Sequence, residues 1–180
     1  TKQGFRFRKG DLERWNNLDD VVIELYHSWT TSLHWIDELN TDGRTVRFIN
    51  HSSWPVGWWE KFQRYRVKNY LGALDMPGEW YLDRDEGTLY YWPREGENMR
   101  EARVVAPRVR DLMVLRGRPG EGEFIDHLTF EGLSFRHEAW HFEKDEQVDG
   151  QAHAWKMTAA IKAYGLRHSA FRNCEIAHVG

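Results

Sequence analysis

The sequence predicts an all-β chain: an antiparallel, sandwich-like unit over residues 1–106, then the first rungs of a parallel β-helix over 107–180. Three observations predict it. Almost no sustained helical periodicity occurs before residue 107, where β-branched and aromatic runs alternate with turn residues. Glu79–Trp92 reads as a hairpin whose arms, EWYLD and TLYYW, set large aromatics opposite one another. The last third carries an internal repeat at a constant offset of 41 residues.

Each element has a local reason. Residues 10–15 (GDLERW) are expected to form a short capped helical turn, with Asp11 as cap and Leu12 and Trp15 on one face. Val21–His27 is a β-branched strand. Leu33–Leu39 and Thr45–Ile49 flank Asn40-Thr41-Asp42-Gly43-Arg44, and Asp-Gly between two alternating runs signals a hairpin. Trp58, Trp59, Phe62 and Tyr65 have helical spacing and suggest one or two turns. Tyr65–Leu71 and Ala102–Ala106 read as strands, the latter stopped by Pro107.

In the repeat, Ile125, His127, Phe130, Gly132, Leu133, Phe135 and His137 match Leu166, His168, Phe171, Asn173, Cys174, Ile176 and His178. Apolar slots are kept, and Gly132/Asn173 fall where a left-handed residue turns the chain. Leu112–Gly117 resembles Ala160–Gly165 at an offset of 48, so the excess length lies between Glu138 and Thr158. That stretch is polar, charged and aromatic, and a loop leaving a rung is a usual place for binding chemistry. Rungs need neighbours to cover their ends. The chain is therefore expected to be one piece of a longer solenoid whose remainder lies C-terminal to Gly180.

Composition narrows the function. With 25 Lys+Arg against 28 Asp+Glu there is no basic surplus for phosphates, which argues against a nucleic-acid partner. No apolar run is long enough to span a membrane. Cys174 is alone, so neither an intramolecular disulfide nor a cysteine-based zinc site is possible. It reads as a small hydrophobe within a strand. The anomaly is ten tryptophans, most of them before residue 107, where packing of the β unit is expected.

The segments FRFRKGDLERWNNLDDVVI, HSWTTSLHWI, MPGEWYLDRDEGTLYYWPREGE, HLTFEGLSFRHEAW and AAIKAYGLRHSAFRNCEIAHVG resemble, in order, the bacterial right-handed parallel β-helix glycosidases. They are most similar to glycoside hydrolase family 141, whose members insert a β-sandwich-like domain near the start of a pectin lyase-like β-helix. The resemblance implies a secreted or periplasmic enzyme acting on plant-type polysaccharide, fucosidase- or xylanase-like, with its acidic pair on rungs beyond Gly180. It implies no cofactor.

The residues alone leave the catalytic groups unknown. Glycoside hydrolysis needs two carboxylates, but 28 acids make any pair uninformative. Glu138 follows a rung strand directly; Glu143, Asp145, Glu146 and Asp149 read as a solvated face. His137 and His178 occupy equivalent positions and are expected to stack on adjacent rungs about 4.8 Å apart, as an acid/base pair, a ligand contact or a corner ladder. His127 and His168 repeat mid-rung and read as structural. No spacing forces a metal site. For substrate binding, Trp54, Trp58 and Trp59 are the densest aromatic cluster, while Trp140, His141 and Trp155 belong to the long loop. A flat indole suits a pyranose face, and core packing is its other use. Trp80 and Trp92 read as structural parts of their hairpin. Two other functions fit the same pattern: a non-catalytic carbohydrate-binding module, and a polysaccharide lyase. The residues show no acidic cluster of the kind that holds a lyase's calcium.

Overall fold

The computed structural model describes residues 1–149 and 159–179. The chain is all-β and divides into two compact units. One comprises Thr1–Ala102 and Phe142–Met157, and the other Arg103–His141 and Thr158–Gly180.

The first unit is built on β1 (Gly4–Arg6), β2 (Val22–Tyr26), β3 (Thr31–Asn40), β4 (Thr45–Phe48) and β5 (Tyr65–Lys68). They form one curled antiparallel sheet in the order β1-β4-β3-β2-β5, where two facing sheets were expected. A register shift between Ile36 and Glu38 interrupts the β3–β4 ladder, as a bulge does when it bends a strand. Alternation follows from the sequence: Ile23 and Leu25 on β2 are buried, as are Val46 and Phe48 on β4. With Phe7, Leu12, Val21, Ile36 and Leu39 they make the core, each contributing about 1.5–3 kcal/mol by burial. Gly4 lets β1 close onto β4, because a Cβ there would run into the Val46 carbonyl. The hairpin of β6 (Trp80–Asp83) and β7 (Thr88–Tyr91) pairs as expected, with Tyr81 opposite Tyr90.

Residues 142–149 also belong to this unit. On its β4 side, β3 pairs only over Ile36–Asn40. The Leu33 N–H there donates instead to the Val148 carbonyl at 2.9 Å, and Leu33, Phe142 and Val148 form a second small core. Part of the expected solvated loop is therefore interior: Asp149 is 2% exposed and Glu138 7%.

The second unit stacks strand on strand: β8 (Met113–Arg116), β9 (Ile125–Asp126), β10 (Thr129–Glu131) and β11 (Ser134–Arg136) pair in parallel with β12 (Ile161–Tyr164), β13 (Leu166–Arg167), β14 (Ala170–Arg172) and β15 (Glu175–Ala177). Ile125 pairs Leu166, Phe130 pairs Phe171, Phe135 pairs Ile176 and Met113 pairs Ile161, which is the register of the repeat. Gly132 (φ 67°) and Asn173 (φ 51°) are left-handed, as their turn position requires. His127, His137, His168 and His178 are left-handed too, so His127 and His168 sit at corners and not mid-rung. Like stacks on like: Phe130 on Phe171 at 4.7 Å, with the Cys174 thiol near the Phe130 carbonyl. Asp126–Arg167 and Glu175–Arg136 link the same levels by charge. The two arginines hold these carboxyls below their usual range, chiefly by hydrogen bonding.

Several local expectations are overturned. Residues 10–15 form no helix, because the chain turns at Gly10 (φ 90°). None forms over 58–65 either, where Gly57 (φ 80°) and Phe62 (φ 58°) are left-handed. Residues 102–106 form no strand. In the 40–45 hairpin the left-handed residue is Arg44, while the Gly43 N–H donates to Asn40 Oδ1. The tryptophans are not the core. Trp29, Trp54, Trp58, Trp59, Trp80, Trp92 and Trp140 are all exposed, and only Trp15 and Trp35 of the described ones pack against apolar clusters. Trp155 lies outside the described residues.

Candidate functional site

Beneath the first unit's loops runs a chain of buried polar side chains. Its hydrogen bonds have one self-consistent direction. The Gly57 N–H donates to Gln63 Oε1 (2.6 Å), and Gln63 Nε2 donates to His27 Nδ1 (2.9 Å). His27 must then carry its proton on Nε2, which donates to Ser32 Oγ (2.8 Å). Ser32 donates to His34 Nε2 (2.7 Å), which puts the His34 proton on Nδ1, facing Asn50 Oδ1 (3.2 Å). Asn50 Nδ2 ends the chain on the carbonyls of Leu33 and Glu146. Both imidazoles are neutral in this arrangement. Burial pushes His34 down to about 4, and its ring stacks on Phe48 at 4.3 Å.

Ser32, His34 and Asn50 align as a nucleophile, base and orienting group would. All three have 1% exposure or less, so no substrate reaches the hydroxyl. Their role is to fix the backbone around them, because a fully satisfied buried network rigidifies what it joins. What it joins is the set of loops that carry exposed tryptophans. His27 starts the turn bearing Trp29, closed by His27 N–H to the Thr30 carbonyl at 2.8 Å. Ser53, next to Trp54, gives its N–H and its hydroxyl to the buried Asp149 carboxylate. Gly57 precedes Trp58 and Trp59.

On the surface, Trp59 lies between Trp29 (centroids 4.8 Å, 61°) and Trp54 (5.2 Å, 66°). Edge-to-face packing holds the three rings while leaving Trp29 62% exposed and Trp54 and Trp59 each 38%. Trp58, 64% exposed, stands beside them in sequence. A rigid, exposed indole cluster offers flat apolar faces at little entropic cost, and its N–H groups remain free to orient a polar ligand. Of the sequence-predicted Trp54, Trp58 and Trp59, the structure brings Trp54 and Trp59 together and adds Trp29, which sequence reasoning missed along with the polar chain. Ser32 and His34, two residues apart and so on one face of β3, were the available signal.

In the second unit, His137 and His178 stack at 4.9 Å with ring planes 2° apart. His127 and His168 stack at 5.2 Å. Glu138 is buried and presents no open carboxylate, while Trp140 and His141 are exposed. Among the described residues no group of three or more His, Cys, Asp or Glu is placed to hold a metal ion. No described helix is long and apolar enough to cross a membrane.

No family model and no curated protein matches the sequence. A solved structure described as a glycoside hydrolase superposes on 90% of this chain with a TM-score of 0.67 and 22% identity. The chain spans 34% of that protein's length, about a third. The likeness shows that the chain shares the fold of the matching part of that protein.

Proposed function

We propose that this chain is part of a carbohydrate-active enzyme, a glycoside hydrolase of the family 141 type acting on plant-type polysaccharide with fucosidase- or xylanase-like specificity. In this reading the four parallel pairs are the opening coils of a right-handed parallel β-helix, and the antiparallel unit is its inserted domain. The exposed Tyr164, Phe171, Ile176 and Val179 support a further coil stacking on β12–β15, beyond Gly180. The catalytic carboxylates belong to such coils, and the protein works outside the cytoplasm. The observation that carries the carbohydrate reading is the exposed Trp29–Trp59–Trp54 cluster on network-braced loops.

The test compares hydrolysis of fucosylated and xylan-type oligosaccharides by the full-length protein and by the 180-residue chain. Turnover by the longer protein, with binding but no turnover by the shorter, is expected. Full activity in the short chain overturns the placement of the carboxylates. A second reading, a non-catalytic carbohydrate-binding module, is favoured by an exposed indole cluster in a unit whose triad-like Ser32–His34–Asn50 alignment is sealed from solvent. Binding without turnover in the full-length protein decides for it.

A further inference from the structure

The curl of the five-stranded sheet brings its two edges face to face. Phe5 of β1 meets Tyr65 of β5 with ring centroids 4.7 Å apart, although the two strands lie at opposite ends of the strand order. Along this seam runs a cleft of about 690 Å³, within the range of small-molecule sites. Phe5, Tyr65, Val67 and Tyr70, all half-buried, line its depth. Arg6, Arg8 and Arg64, all exposed, line its rim.

The charges are poised for an anion. Arg6 and Arg8 make no ion pair among the described residues, and Arg64 has a long ion pair with Glu60 (3.9 Å) and lies over the Tyr26 ring at 5.8 Å. The lining carboxylate, Asp11, is already engaged by the Tyr65 hydroxyl at 2.5 Å. Burial and this bond push the Tyr65 phenol up, so it stays a donor to Asp11. A neighbouring cleft shares Phe5 and Arg6 with it, but there Arg47 is neutralised by Asp37 and Glu38. A cationic rim over an aromatic floor is unusual in a chain whose net charge is −3.

We propose that this seam cleft binds an acidic sugar, a pyranose whose carboxylate pairs with Arg6 and Arg8 while its apolar face lies on the Phe5–Tyr65 rings. The inference rests on the carbohydrate reading above and adds to it a substrate class and a second site. Guanidinium groups suit carboxylates because two N–H donors match two oxygens.

The test is isothermal titration with three probes: a galacturonate trisaccharide, the neutral galactose trisaccharide and a hexaglutamate peptide. The expected result is at least tenfold tighter binding of the acidic than of the neutral sugar. The preference shrinks to under threefold in the double variant Arg6→Gln/Arg8→Gln and fades with salt. Both arginines are exposed, so the variant keeps its fold, which thermal unfolding checks. No preference for the acidic sugar, or a preference that survives the double variant, overturns the inference. Neutral-sugar binding that depends on Trp59 without any acidic preference overturns this site alone. Peptide binding through Arg6 and Arg8 with no sugar bound at all overturns both this inference and the carbohydrate reading.

Discussion

Ser32 donates its hydroxyl to His34 Nε2 across 2.7 Å while accepting from His27 Nε2 at 2.8 Å. One oxygen thus satisfies two buried rings at once. Ser32→Ala leaves a donor on His27 and an acceptor on His34 unpaired, at about 1–3 kcal/mol each. Urea unfolding should show a loss of about 2–6 kcal/mol. Ser28→Ala, on the exposed turn nearby, should stay within about 0.5 kcal/mol.

His34 makes the first unit acid-sensitive. Its ring ionises at about 4 in the folded protein against 6.5 for an ordinary histidine. The neutral form is favoured by folding, so this stability is fully present above pH 6.5 and is lost as pH falls through about 4. The loss amounts to about 3 kcal/mol, at about 1.4 kcal/mol for every tenfold change in the protonation equilibrium. Urea midpoints at pH 7 and pH 4 measure it. NMR at pH 5.5 should show His34 neutral, with its proton on Nδ1.

Asp149 ties residues 142–149 to the loop of Trp54. Its carboxylate takes two bonds from Ser53 while nearly inaccessible to solvent. Asp149→Ala removes charge-assisted bonds of about 1.5–3 kcal/mol apiece. Hydrogen exchange should accelerate at Leu33, whose N–H bonds the Val148 carbonyl. Unchanged exchange there would contradict the tether.

The corners of the second unit separate backbone strain from packing. A Cβ on Gly132 would meet nothing within 4 Å, yet its φ is 67°. Gly132→Ala should therefore cost about 1 kcal/mol through conformation alone. Asn173→Gly, at the equivalent corner, should be neutral or slightly stabilising. Thermal melts of the two variants check the pair.

The second unit was legible because parallel stacking puts each side chain on its own counterpart. Ile125 over Leu166 and Phe130 over Phe171 demand like residues at a fixed interval, and the interval survives in the sequence. The curled sheet was half-legible: alternation marked β2, β3 and β4. The closure of β1 against β5, however, depends on a long-range contact between Phe5 and Tyr65 that no local pattern records. Helical spacing at 58–65 misled because two left-handed residues, Gly57 and Phe62, outweigh periodicity. The tryptophans misled for a different reason. Composition says that indoles gain from burial, but Trp29, Trp54 and Trp59 pack edge-to-face on one another and still remain exposed. The polar chain was hidden because His27, Ser32, His34, Asn50 and Gln63 are ordinary one by one, and become a network only when the sheet curls.

The most direct test of the carbohydrate reading is a tryptophan-fluorescence titration with xylan-type and fucosylated oligosaccharides, comparing the protein with its Trp59→Ala variant. The expected result is saturable binding that weakens at least tenfold in the variant, with an unchanged melting temperature. Undiminished binding in a folded variant, or no binding by the unaltered protein, would contradict it.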